Sequence, residues 1–459
     1  GVPQSPGLTG LPTVNETGFS ALGDRTFAPN PKLTQVRQFI DNVSWVRGNH
    51  TLKFGFDIRF TQNFAGTSSN ARGSFSFNGQ FTSRVPGQGA GSALADLLLG
   101  QTSTAQLTTL LQGDYRNRYY GYFLNDTWKA TGKLTLTLGL RYELQSPPWE
   151  HNNHQSNFDL DRRSSTFGTL APATGGSIRS RTFSDRDRNN FAPRLGAAYQ
   201  VSRKTVLRGS AGIFYGSWGY LAIANMGAAN LPNFVNVSFP TASTAAVSGL
   251  VLADGFPAGA LNPRNAANPA GVAKLRDFPL PEVYQWNLGV QRELRGNSVL
   301  SVSYVGSGSS YLPGYSDINQ PAPGPGGLNP RRPFPSFGGI TLVSAFAHST
   351  YHSLQAKLEK RFSRGLSLLA SYTWSHTLDN SVNGEDTSNG PVTPQDPTNT
   401  RVEKSSSAID VRHRFVTSFI YELPLGRSGG SLGGSAPARA LLGGWQLGGI
   451  FVASSGAPM

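Results

Sequence analysis

Cysteine is absent from this 459-residue chain. No disulfide framework, thiolate metal site or cysteine nucleophile is open to it. The absence suits a protein that passes through an oxidising periplasm. Long apolar runs are missing too: no segment approaches the ~18 apolar residues of a membrane-spanning helix. Only 38% of the residues are hydrophobic, and mean hydropathy is −0.28. A compact block of Lys and Arg is also lacking, although net charge is +14 and the pI is near 10.0. The basic residues are spread singly, which excludes a nucleic-acid-binding patch and leaves anionic lipid or an anionic solute as the partners of that charge.

What the chain does contain is alternation. In Leu134 to Leu144, the residues Leu134, Leu136, Leu138, Leu140, Tyr142 and Leu144 fall on one face, and Thr135, Thr137, Gly139, Arg141 and Glu143 on the other. Side chains alternate across a strand with period two, so one face is oily and the other polar. The segment is long enough to cross a bilayer, which takes about 9–11 tilted residues. Similar segments run over 33–46, 51–60, 118–129, 191–201, 205–215, 282–294, 298–305, 351–362, 366–374, 412–423 and 445–453. Weaker ones cover 74–81 and 102–111, which makes about fourteen candidate strands. A short helix is expected at Ser92–Leu99, stopped by Gly100. Short turns at Gly48, Gly132, Arg203, Gly296 and Arg364 fall on one side. Long polar loops at 145–189, 216–281, 306–350 and 376–410 fall on the other.

Loops of that length argue against a compact soluble domain. They suit an all-β, transmembrane, antiparallel up-and-down β-barrel with long extracellular loops and short periplasmic turns. Its polar lumen and loops account for a mean hydropathy that looks soluble. Residues 1–32, rich in Gly, Pro, Thr and Asn, read as a loop or leader, and 33–459 as a barrel domain. The start carries no charged n-region and no apolar h-region, hence no signal peptide. The end, Gly456-Ala457-Pro458-Met459, carries no closing aromatic. The expectation is a partial barrel cut at both ends.

Chemistry-bearing patterns are few. His50, His151, His154, His348, His352, His376 and His413 are scattered and lack metal-site spacing. Gly306-Ser307-Gly308 reads as a strand-end turn, because no helix follows to present its N-terminus to a phosphate. Neither a catalytic constellation nor a cofactor site emerges, so an enzyme is not expected. The charged strand residues Lys53, Asp57, Arg59, Arg141, Glu143, Arg208, Arg292, Lys357 and Glu359 mostly oppose apolar neighbours. They are the candidate lumen-facing set, since a lipid-facing Arg or Lys at mid-depth costs about 2–4 kcal/mol. They read either as a solvated, salt-bridged wall or as a basic conduit for an anionic solute. Trp45, Trp128, Trp149, Trp218, Tyr284, Trp286, Tyr372, Trp374 and Trp445 cluster near strand ends, where rings settle at the headgroup level.

Several motifs carry a family resemblance. Asn190-Phe191-Ala192-Pro193-Arg194-Leu195-Gly196, then Arg208-Gly209-x-x-Gly212-Ile213-Phe214-Tyr215, resemble TonB-dependent receptors of the Oar-like group. So do Gln285-Trp286-Asn287-Leu288-Gly289-Val290-Gln291-Arg292-Glu293-Leu294, Tyr351-His352-Ser353-Leu354-Gln355, Asp410-Val411-Arg412-His413-Arg414-Phe415 and Gly443-Gly444-Trp445-Gln446-Leu447. The resemblance spans most of 33–459 and marks barrel strands. It implies a 22-stranded barrel in the outer membrane of a Gram-negative bacterium, an N-terminal plug, a periplasmic regulatory-like domain and energy from TonB. No plug, TonB box or regulatory-like domain is found in this sequence, so contact with the TonB complex would run through a missing N-terminal region. The expected function is uptake of an unknown large solute. The alternative is a structural or adhesive outer-membrane protein. The expected surroundings are outer-membrane lipid and lipopolysaccharide.

Overall fold

The computed structural model describes residues 8–67, 69–85, 91–217, 228–380, 394–397, 399–424, 437 and 444–458. Twelve strands form one continuous path among them. They are β1 (Lys32–Arg47), β2 (His50–Thr67), β3 (Leu111–Lys129), β4 (Leu134–Gln145), β5 (Phe191–Ser202), β6 (Thr205–Tyr215), β7 (Glu282–Leu294), β8 (Ser298–Asp317), β9 (Ile340–Ser363), β10 (Leu366–Asp379), β11 (His413–Glu422) and β12 (Gln446–Ser454). Each pairs antiparallel with the next in sequence, the up-and-down order expected. No helix is long and apolar enough to cross a membrane.

The register turns alternation into two faces. Phe54, Leu124 and Leu140 stand side by side across β2, β3 and β4, followed by Pro193 on β5. On the opposite face Lys53 lies beside Asn125, then Gly139 and Arg194. Leu138 is 46% exposed and Leu288 64%. Such a continuous oily surface has no place in water, where exposed apolar patches rarely exceed a few hundred Å². It has its place in lipid.

The tight turns follow from local chemistry. Ser363 pairs with Leu366, leaving Arg364 and Gly365 as a two-residue turn. Both have positive φ, 52° and 78°. That combination matches the right-handed twist of a hairpin, and glycine takes it without steric cost. The connection 423–445 is on the same side as these turns but is long, and most of it lies outside the described residues.

On the other side the structure departs from the sequence reading. The strands β3, β8 and β9 run 19, 20 and 24 residues, well beyond the ~9–11 a bilayer needs. Their outer ends carry folded loops. Ser74–Phe77 and Thr104–Thr108, within two of the fourteen candidate strands, leave the main sheet. With Thr13–Glu16 and Asn236–Pro240 they build a separate four-stranded sheet. Phe75, Phe77, Ala105 and Leu107 are buried there against Leu250 and Phe256, so the apolar face of these strands packs into a core and does not face lipid. The segment 1–32 is accordingly not all loop. The short helix is present at Ala93–Leu98, where the Ser92 side chain accepts from Ala95 N–H at its start. Gly306-Ser307-Gly308 is not a turn but the middle of β8. A Cβ at Gly306 would stand 2.5 Å from the Trp286 ring, so this glycine makes room for the indole.

Four of the expected interfacial aromatics, Trp45, Trp128, Trp374 and Trp445, are well exposed. Trp149 is not of that kind: it is buried in the loop layer beneath the Arg118 guanidinium, 5.5 Å from its ring. Trp218 lies outside the described residues.

The path does not close: β1 and β12 have no ladder between them. Alternation also loosens at these edges. Val36, Ile40 and Val46 on β1, and Ile450 and Val452 on β12, are exposed on the face that carries Asp57 and Lys53 elsewhere. An unpaired edge is costly in lipid, where each backbone N–H and C=O needs a partner.

Candidate functional site

The polar face gathers four of its charged residues into one network at β1–β4. Asp57 on β2 accepts from Gln38 Nε2 at 2.8 Å and from Arg59 Nε at 3.0 Å. Arg59 adds a second, shorter bond from its terminal nitrogen to the same carboxylate, a two-pronged pairing. On β4, Arg141 Nε donates to Glu143 Oε1 at 2.7 Å, and its Nη2 donates to the Tyr119 hydroxyl on β3 at 2.6 Å. Both guanidinium groups lie over the Tyr119 ring, Arg59 at 5.1 Å and Arg141 at 5.9 Å. Four of the nine candidate residues therefore form one unit. It spans four strands that are contiguous in the sheet but run from position 38 to 143 in sequence.

Gln38, Tyr119 and Arg194 belong to this face and were not among the candidates. Arg194 on β5 passes close to Gly212, where a Cβ would stand 3.2 Å from its Cγ, and its guanidinium lies over the Phe214 ring at 4.4 Å. The signal for it was present: Arg194 alternates with Phe191, Pro193 and Leu195, as Arg141 does with Leu140 and Tyr142. For Tyr119 the signal is ambiguous, because tyrosine suits either face.

The other candidates scatter. Lys53 stands beside Ser44 and Asn125. Arg208 stands beside Ala198 and Gly289. Lys357 and Glu359 form a separate, half-exposed ion pair at 3.4 Å on β9. Arg292 corrects the expectation. It pairs in register with Thr205 and Leu300 and shares the row of Leu288 and Val290, which is the apolar face. It sits two residues from the end of β7, so its long stem can cover apolar surface while the guanidinium reaches the headgroup level.

Several histidines bond side chains on neighbouring strands. His50 stacks on Trp128 and faces Asp126 at 2.7 Å. His352 bonds Tyr304 and His413 bonds Tyr372. Among the described residues no group of three or more His, Asp and Glu side chains is placed to hold a metal ion. Asp410, in the loop before β11, accepts from Thr377 N–H at 2.7 Å, His376 Nδ1 at 3.0 Å and Arg412 Nε at 3.0 Å. Arg412 also faces His376 Nε2 at 3.2 Å. Arginine can only donate, so Nε2 accepts and Nδ1 carries the proton. Burial pushes the Asp410 carboxyl up, but these donors outweigh it and hold the group below its ordinary value.

The fold and its two-faced wall define an outer-membrane barrel protein. The profile of the outer membrane beta barrel domain family matches residues 1–459, and the chain belongs to that family. Its place is the Gram-negative outer membrane. No curated protein sequence matches it significantly. Among solved structures it is similar to the outer membrane transporter YddB from Escherichia coli, at 11% identity and a TM-score of 0.48, over 85% of this chain and 40% of that one. It is also similar to the FrpB iron transporter from Neisseria meningitidis, at 12% identity and a TM-score of 0.40, over 86% and 42%. A third similarity is to the ferric yersiniabactin uptake receptor FyuA from Yersinia pestis, at 9% identity and a TM-score of 0.41, over 85% and 40%. The chain spans about two fifths of the length of these proteins.

Proposed function

We propose that this chain is barrel wall of a TonB-dependent transporter that takes up a large solute across the outer membrane. The observation that carries the reading is the network of Asp57, Arg59, Tyr119, Arg141 and Glu143 on the face opposite the lipid-facing rows. Charge paired so thoroughly makes a solvated, rigid lumen wall rather than a bare basic conduit. The strand motifs shared with Oar-like receptors support the transport reading. On this reading the long connections face outward among lipopolysaccharide, and TonB acts through a plug supplied by other parts of the protein.

The test compares a strain lacking this gene with one lacking tonB, grown on a panel of iron chelates, oligosaccharides and peptides as sole sources. A source whose use both strains lose supports TonB-dependent uptake. The folded loop layer around Phe75 and Phe256 favours the second reading, adhesion, because it offers a fixed outward surface. Normal use of every source together with lost surface attachment in the deletion strain would select that reading instead.

A further inference from the structure

One cleft lies in the loop layer, not in the wall. It has a volume of about 620 Å³ and is lined by Asn157, Asp159, Arg179, Lys274 and Arg276 among others. Lys274 is its unusual member. It ends a short strand, Gly271–Lys274, that pairs parallel with Ile340–Val343 at the outer end of β9. Its backbone is clamped on both sides by the Asn157 amide, which accepts from Lys274 N–H at 2.7 Å and donates to Lys274 C=O at 3.2 Å. The residue is only 6% exposed.

No carboxylate in the described residues comes within ion-pair distance of the Lys274 amine. The neighbouring carboxylates accept from other donors, and the two neighbouring guanidinium groups share a single carboxylate. Asp159 accepts from Asp161 N–H and the Thr166 hydroxyl, and Asp161 accepts from Arg163 N–H. Arg179 and Arg276 both face Asp185, at 3.2 and 3.7 Å. A buried ammonium without a counter-charge is costly. Burial accordingly pushes the Lys274 amine down to about 8, with no acid to offset it. Lys274 lines the cleft, and an anionic group bound there would supply the counter-charge that its buried amine lacks.

We propose that this cleft binds a solute through an oxyanion, carboxylate or phosphate, that pairs with Lys274 Nζ, with Arg179 and Arg276 drawing the anion in. The proposal deepens the uptake reading, on which it rests for the fate of the bound solute, but binding itself can be measured without transport.

The experiment uses outer-membrane vesicles carrying the full protein. Lysines are acetylated with a membrane-impermeant reagent and each site is quantified by mass spectrometry, with inorganic phosphate, citrate or chloride at matched ionic strength. Phosphate or citrate should slow acetylation of Lys274 about tenfold, the size of one charge-assisted bond, while Lys53 and Lys357 are unaffected. Which of the two protects identifies the oxyanion. Equal rates at Lys274 in all three salts would overturn the proposal. In a second arm, Lys274→Gln should lower saturable binding of radiolabelled citrate or phosphate about tenfold at equal protein level. Unchanged binding would also overturn it. If the variant does not accumulate, the labelling arm decides. Protection without any TonB-dependent uptake would leave this site standing and sink only the transport reading.

Discussion

Arg141 reaches Asp57 across an intervening strand: its Nη2 stands 3.7 Å from Asp57 Oδ2, and its side chain runs diagonally over Gly121, the β3 residue paired with Asp57. A Cβ added at Gly121 would lie 2.6 Å from that same nitrogen. The missing side chain is what lets charges on β2 and β4 meet.

Gly121→Val should therefore break the Arg141–Asp57 contact and leave the strands paired, because the atom displaced is the far end of a flexible side chain. The expected cost is about 1 kcal/mol in urea unfolding of the protein in bilayers. Combined with Arg141→Met, the two changes should be non-additive by about 0.5 kcal/mol or more. Strict additivity would show that the glycine serves another purpose.

Leu138 and Thr137 offer the sharpest test of the two faces. Leu138→Arg places a charge in the lipid row and should cost about 2–4 kcal/mol, whereas Thr137→Arg adds one more charge to the polar wall and should cost far less. Folding yield into bilayers reads the difference. Similar losses at the two sites would mean that β4 does not face lipid.

For Arg292, the register makes a claim that the composition of β7 did not. The chain has no native cysteine, so a spin label at an introduced cysteine is unambiguous. A label at position 292 should be relaxed by oxygen and lipid-borne quenchers, and one at Gln291 by a water-soluble nickel chelate. The reverse pattern would return Arg292 to the lumen.

Asp410 should impose a pH dependence on its loop. Its folded value is depressed, so its stabilisation is complete above the ordinary value near 3.8 and is lost as pH falls through the lower, folded value. Asp410→Asn should open the loop by about 2 kcal/mol at neutral pH, since the side chain is 1% exposed and three donors lose a charged acceptor. Amide exchange at Thr377 measures it. The variant should also lose the acid-induced rise in exchange that the unaltered protein shows; a rise of equal size in both would assign the effect to another group.

Sidedness can be read at two glycines. Substituents at Gly132 and Gly176 would meet nothing within 4 Å, so short epitopes are tolerated at each. Antibody should bind intact cells tagged at Gly176, in the long connection after β4, and not those tagged at Gly132 in the β3–β4 turn. Binding at Gly132 alone would invert the topology.

Period-two alternation by itself was enough to determine the strands that meet lipid, their order and the faces of Leu138 and Arg141. Those properties follow from a local rule: a strand between oil and water must alternate, and a tight hairpin needs residues such as Arg364-Gly365 that accept positive φ. Wherever lipid no longer touches the chain, that rule has no hold. Hence the outer halves of β8 and β9 were read as loop, and Ser74–Phe77 as wall rather than part of a packed loop layer. Burial there is decided by contacts such as Phe75 on Phe256, about 180 residues apart in sequence. The same limit applies to the charged residues. Alternation placed Asp57 and Arg141 on the polar face, but only the stagger of neighbouring strands joined them over Gly121, put Arg292 among the leucines, and left Lys274 buried without a counter-charge among the described residues.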